Sequence, residues 1–334
     1  MLKRFSYFYL FFNLILTTMN TTQSLLEGVV VMLAIIAVMI WLKKIGFLKK
    51  EDSLLFSRIV LQLTLPALIF SSLVVKEFDD RFVKMALIMA VVEIGMIILA
   101  WALASLLKLK RDVKGALILV SAFGMTTMLG YPIIQQVFPN NSMAMEEAVV
   151  TSEFGVGLLL FIFGPLIAMY FGQTNIQKRD IAQSVKKFFV SPIFIALIAG
   201  IGFSFLPLNH DEAIFSTFIR IFKLIGQANL LMVTITIGLV VEFKSVKSLY
   251  LFLGMAVILK LGVKPLLALW LTHHPDFTDM MREIVVIETA LPSAMLAAVF
   301  AKQYNCRPDL VSLAIMVTLV LCVLTLPLLF SLAF

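Results

Sequence analysis

The chain has 334 residues, 61% of them hydrophobic and only 14% charged, with a mean hydropathy of +1.03 and a formal net charge of +7. A soluble domain carries about 25% charged residues, and no soluble fold of this size could bury so much apolar surface, so the chain is an integral membrane protein. Its apolar runs are unbroken over about 20 residues, which specifies helices rather than the roughly 10-residue alternating strands of a barrel. The positive balance belongs to loops under the positive-inside rule, not to a nucleic-acid partner.

In chain order, residues 1–23 form an N-terminal extension. Lys3-Arg4 followed by an apolar stretch to Leu16 has the first two regions of a signal peptide, without a small-residue cleavage site. Three readings fit it: a start misassigned upstream of Met19, a signal or anchor, or an eleventh helix. Ten spans then follow, at 24–42, 54–75, 82–107, 114–138, 146–171, 191–208, 222–241, 248–272, 281–301 and 309–332. Loops after odd-numbered spans hold 17 Lys and Arg, among them Lys43, Lys44, Lys108, Lys110, Lys178 and Arg179. Loops after even-numbered spans hold six: Lys76, Arg81, Lys84, Arg220, Lys223 and Arg282. Odd loops therefore face the cytoplasm, and both ends of the ten-span core face outward across the cell membrane.

The spans repeat. Pro132 and Pro165 fall in spans four and five, and Pro292 and Pro327 in spans nine and ten. The longest central loop divides residues 24–172, the first five-helix repeat, from residues 191–334, the second, with 173–190 as a cytoplasmic linker. An odd number of spans per half makes the repeats enter the membrane from opposite sides, the inverted repeat of secondary transporters. Non-helical backbone at membrane depth is tolerated only where it is buried in protein or lines a cavity. Pro132 and Pro292 each remove a backbone donor and crowd the preceding turn. The expected fold is thus an all-α bundle of ten transmembrane helices in a five-plus-five inverted repeat, with broken helices four and nine crossing near the midplane. Half-helix N-termini at that crossing favour anionic groups. A simple kink healed by neighbouring helices is the alternative.

Charged residues inside the spans are costly and mark candidate sites. Lys260 is the expected counter-charge for a carboxylate, with Glu93 as its pseudo-symmetric partner; a static ion pair is the plainer reading. Lys264 is placed to tie backbone carbonyls near Pro265. Glu288, one turn before Pro292, is a candidate for a coupling proton or cation, and Glu93 shares that assignment. Glu153 falls near the outer end of span five and is expected to be solvated. Thr126, Thr127, Gly130, Pro132, Thr289, Pro292 and Ser293 line or flank the two crossovers and complete the expected substrate site, although Ser and Thr also bond back to their own helices.

At these residues the chain resembles the auxin efflux carrier family, which spans plant auxin exporters and bacterial malate-type permeases. Leu129-Gly130-Tyr131-Pro132 resembles the family's fourth helix, and Ala290-Leu291-Pro292-Ser293-Ala294 with Phe300-Ala301-Lys302-Gln303-Tyr304-Asn305 its ninth helix and following loop. Lys43 to Lys50 with Leu65-Pro66-Ala67-Leu68 is similar to its first loop and second helix, and Lys260 falls where relatives often carry a basic residue. The resemblance covers about 24–332. It implies a homodimer, a mobile unit of helices three to five and eight to ten, a scaffold of helices one, two, six and seven, and small organic anions as substrates. The sequence departs from the family at Met125 and Leu296, where many relatives carry Asn.

The expected function is therefore a permease for small organic anions such as carboxylates, working by alternating access; an anion channel and a membrane sensor or scaffold are the rival readings. No ATP-binding or hydrolase motif is present, so neither an enzyme nor direct ATP drive is expected. No cofactor or metal site is expected from Cys306, Cys322 or the three histidines His210, His273 and His274.

Overall fold

In a computed structural model, the structure describes residues 30–32, 34–74, 80–139, 141–172, 186, 189–205, 213–240 and 250–334. The N-terminal extension, most of the 173–190 linker and His210 lie outside these. Among the described residues, regular structure is helical except for one isolated antiparallel bridge.

The helices are α1 (34–44), α2 (Lys50–Leu73), α3 (Asp80–Leu106), α4 (Arg111–Ala122), α5 (126–137), α6 (Ser142–Phe171), α7 (Pro192–Ser204), α8 (Phe215–Leu239), α9 (Tyr250–Leu271), α10 (Asp279–Ala290), α11 (Met295–Gln303) and α12 (Pro308–Ala333). Six of them, α2, α3, α6, α8, α9 and α12, are long and apolar enough to cross a membrane. They fall on predicted spans two, three, five, seven, eight and ten. Starts are set locally. The Asn141 side chain accepts from the Ala144 N–H at 3.2 Å, Ser191 from Phe194 at 3.2 Å and Thr278 from Met281 at 3.3 Å, each satisfying a first-turn donor.

Two packing groups emerge. The C-terminal half of α2 lies against α7 and α8, and the N-terminal half of α2 against the end of α8. The contact with α8 is close: a Cβ on Gly226 would sit 2.9 Å from the Leu68 Cα. The second group joins α3 to α4 and α6, α4 to α6 and α12, and α9 to α10, α12 and α3. Between the groups, α2 meets the first turns of α6.

Arg58, Lys84, Lys114, Arg220 and Arg282, which the sequence places in loops, lie on helices. Long basic side chains can run along a helix while their heads reach water, so charge alone does not end a span. The π turns were not legible either. They occupy Val60–Thr64 in α2, Thr126–Gly130 in α5, Thr151–Gly157 in α6 and Ile258–Val263 in α9. In all but the α6 turn a proline, Pro66, Pro132 or Pro265, follows two residues later. A π turn moves the acceptors by one residue, which accommodates a ring that has no N–H and would crowd the preceding turn.

Candidate functional site

Predicted spans four and nine are each split. The α10 helix stops at Ala290 because Leu291 precedes a proline. Steric conflict with the proline ring pushes such a residue out of the helical region, and Leu291 is extended, at φ −68° and ψ 157°. The α4 helix stops at Ala122, where Phe123 is also extended, at φ −89° and ψ 134°. Here no proline is adjacent. Pro132, expected to make this break, sits instead inside α5, with its preceding residue helical. The π turn before it takes up the distortion, so the interruption comes several residues earlier, at 123–125.

The two interruptions meet. Gly124 and Ser293 form an antiparallel bridge. The Met125 N–H donates to the Pro292 carbonyl at 2.9 Å, and the Ala294 N–H to the Phe123 carbonyl at 3.0 Å. Ser293 adds a bond from its hydroxyl to the Val120 carbonyl at 2.6 Å, and its N–H donates to Thr318 Oγ1 of α12 at 3.2 Å. Four helix ends therefore gather at one place: the C-terminal ends of α4 and α10 and the N-terminal ends of α5 and α11. The first carry partial negative charge and unpaired carbonyls, the second partial positive charge and unpaired N–H groups.

Two lysines one turn apart on α9 serve the C-terminal ends. Lys264 donates to the Ala122 carbonyl and to Glu93 Oε1 of α3, both at 2.5 Å. Lys260 donates to the Thr289 carbonyl at 3.2 Å. Its ammonium lies beside Gly124, where a Cβ would stand 3.2 Å from the Nζ. All three charged side chains are fully buried. The ion pair expected between Glu93 and Lys260 thus forms between Glu93 and Lys264. The π turn at 258–263 brings Lys264, not Lys260, to face α3. Among the described residues no carboxylate oxygen lies within ion-pair distance of Lys260.

A second polar group lines the other side of the crossing. Glu153 is buried at 3% exposure rather than solvated. Its Oε1 accepts from Tyr131 at 2.8 Å and from Thr127 at 3.1 Å. The Ser152 hydroxyl donates to Thr126 Oγ1 at 2.5 Å. The sequence reading missed Tyr131 and Ser152; a tyrosine beside Pro132 in an apolar run was the available signal. Thr289 takes no part, since its hydroxyl donates to the Val285 and Val286 carbonyls of its own helix at 2.8 and 3.0 Å. Glu288 is fully buried, and neither carboxylate oxygen has a hydrogen-bond partner among the described residues. It faces Gly130, whose Cβ would lie 3.6 Å from Glu288 Oε1. Met125 is buried and Leu296 is 37% exposed, so neither apolar replacement adds a donor to the crossing.

Two cavities flank these elements. A polar one of about 550 Å³ lies between the packing groups, lined by Ser71 and Ser72 of α2, Gln135 and Gln136 of α5, and Lys223 and Gln227 of α8. An apolar one of about 410 Å³ is lined by Ile36 and Ile40 of α1, Leu129 and Ile133 of α5, Ile237 of α8 and Cys322 of α12. No group of three or more His, Cys, Asp or Glu side chains among the described residues is arranged to hold a metal. His273 and His274 are exposed in the turn after α9.

A family model described as membrane transport protein matches residues 24–330. An uncharacterized transporter of Methanocaldococcus jannaschii is 24% identical over 299 residues, covering 88% of this chain and 94% of the relative. Another, of Methanothermobacter thermautotrophicus, is 25% identical over 308 residues, covering 90% and 96%.

Proposed function

Because the chain belongs to the membrane transport protein family, a family of transporters rather than enzymes, we propose that it is a secondary active transporter for small organic anions such as carboxylates. In this reading the chain has ten transmembrane helices in two inverted repeats, with α4–α5 and α10–α11 as the broken fourth and ninth. The observation that carries it is the bridge at Gly124 and Ser293. It gathers two half-helix N-termini beside a buried ammonium, Lys260, that has no bound carboxylate. A substrate carboxylate would supply the missing negative charge, held by Lys260 and the first-turn N–H groups of α5 and α11. Thr126 and Thr127 stand on the same turn, with Gly130 giving room; Pro132 and Pro292 set the backbone rather than touch substrate.

Alternating access fits the two packing groups. The one built on α2, α7 and α8 acts as scaffold, and the one holding the crossing moves against it. The polar cavity between them is the route to the outer side, since its lining includes the turn before α6, which the Lys and Arg distribution assigns to the outside. The family resemblance supports a homodimer formed through the scaffold.

Purified full-length protein in liposomes, offered labelled mono- and dicarboxylates of increasing length, tests the reading. Saturable uptake above protein-free vesicles is expected for at least one of them. No uptake of any would overturn the substrate class, and currents far above carrier turnover would favour a channel. Orientation is tested separately. Ser142→Cys should react with an impermeant thiol reagent from outside intact cells, and Lys302→Cys only after permeabilisation; the reverse pattern sinks the orientation. Native Cys306 does not interfere, since burial pushes its thiol up to about 12.

A further inference from the structure

Glu288 has no role in holding the helices together. Its two carboxylate oxygens are fully buried and accept no hydrogen bond among the described residues. An ionised carboxylate in that condition is among the most costly groups a protein can hold, whereas the neutral acid loses far less on leaving water. The groups that face it do not relieve it. From α6 comes Glu153 and from α3 Glu93, carboxyls that offer no positive charge; from α5 comes Tyr131, whose hydroxyl is already given to Glu153; from α9 comes Lys264, already bound to Glu93 and the Ala122 carbonyl.

A metal cation is poorly served here. Hard cations gather about six oxygen ligands. The nearby hydroxyls are directed elsewhere: Thr127 and Tyr131 to Glu153, Ser152 to Thr126, and Thr289 to its own helix. What remains beside Glu288 is Gly130 and the Leu291 side chain, whose Cδ1 would touch a Cβ on Gly130 at 2.9 Å. Such surroundings suit a proton and no larger ion.

We infer that Glu288 is the proton-carrying group of this transporter: it already holds H⁺ when an anion enters the crossing, keeps it while the anion is bound, and releases it on the other side. Glu288 is one residue from Thr289, whose carbonyl Lys260 holds. A substrate carboxylate at Lys260 and an ionised Glu288 would therefore stand as like charges in one dry site, so the anion enters only while Glu288 holds its proton, and the two cross together. An O–H bond forms on the Glu288 carboxylate with a proton from water on one side of the membrane, and the same bond breaks to water on the other. The coupling rests on the transport reading above, but the protonated carboxyl does not.

The test has two arms. Infrared spectroscopy of the full-length protein in lipid at neutral pH, without substrate, reads the carbonyl stretch of protonated carboxyl groups. That band should be lost or reduced in Glu288→Gln and kept in Glu153→Gln. A band unchanged in Glu288→Gln overturns the inference. Gln matches the neutral acid in shape, so Glu288→Gln should also fold and melt as wild type; a variant that fails to fold would show that the ionised form is required, and overturns it too. In the second arm, liposomes loaded with a pH dye receive the labelled carboxylates. Lumenal acidification should accompany wild-type uptake and disappear in Glu288→Gln. Wild-type uptake without acidification overturns the coupling. If no carboxylate is taken up, the transport reading fails, and the infrared arm alone decides the proton on Glu288.

Discussion

The two breaks at the crossing are stabilised differently. At the end of α4, the Ala122 carbonyl is held by Lys264, whose charge is cancelled by Glu93 at 2.5 Å. At the end of α10, the Thr289 carbonyl is held by Lys260 at 3.2 Å, with no carboxylate at ion-pair distance among the described residues. The first end is electrostatically closed; at the second, the Lys260 amine faces no described carboxylate at ion-pair distance. A buried pair that loses one partner leaves a stranded charge, so the first end is built for stability. In the proposed function the second is the end that takes the substrate carboxylate.

The strongest challenge to this contrast is Lys264→Met. It strands the Glu93 carboxylate and the Ala122 carbonyl, and should cost about 3–5 kcal/mol of stability, read by thermal unfolding in detergent. Adding Glu93→Gln should recover a large part of that loss, because the two side chains act as a unit. Next comes Lys260→Gln, which removes the buried amine. Its melting temperature should stay near wild type, while affinity for a transported carboxylate falls by about 1–3 kcal/mol, or roughly 5- to 150-fold. Wild-type affinity in that variant would make both lysines structural and erase the contrast.

Smaller effects sharpen the picture. Ser293→Ala removes the 2.6 Å bond to the Val120 carbonyl and should lower stability by about 1 kcal/mol. The loss should be additive with Lys260→Gln if the bridge and the ammonium act independently. Smallest is Thr289→Val. Its hydroxyl bonds only its own helix, so stability and substrate affinity should each change by less than about 0.5 kcal/mol. A larger loss of affinity would return Thr289 to the substrate site assigned to it from sequence.

Much of the bundle was legible because its signal is local: a long apolar run has few alternatives to a helix in lipid. The break before Pro292 was legible for the same reason, since a proline constrains its immediate neighbour. The other break was not, because nothing local dictates it. Gly124 permits close approach, and the command to leave the helix comes from Ser293 and Lys260, far away in sequence. Positions of the buried charges were visible, but not their partners. Glu93 was assigned to Lys260 on symmetry, while the actual facing residue, Lys264, depends on how far α9 has turned by that point. Glu153 was taken for a solvated end residue because its partner Tyr131 lies on another helix, 22 positions earlier.

The π turns carry a consequence for sequence change. Each holds one residue more than an α-helix needs over the same rise, so each behaves as a single insertion stored inside a helix. Removing one residue from 258–263 would restore α hydrogen bonding there and leave the residues after it facing nearly as before, so Lys264 would keep Glu93 and the Ala122 carbonyl. Removing one from a regular α turn would instead rotate everything after it by about 100°. The same holds at 126–130, where one deletion would leave Tyr131 facing Glu153. Among relatives, a one-residue gap at either place therefore weighs less than the same gap in a regular stretch of helix.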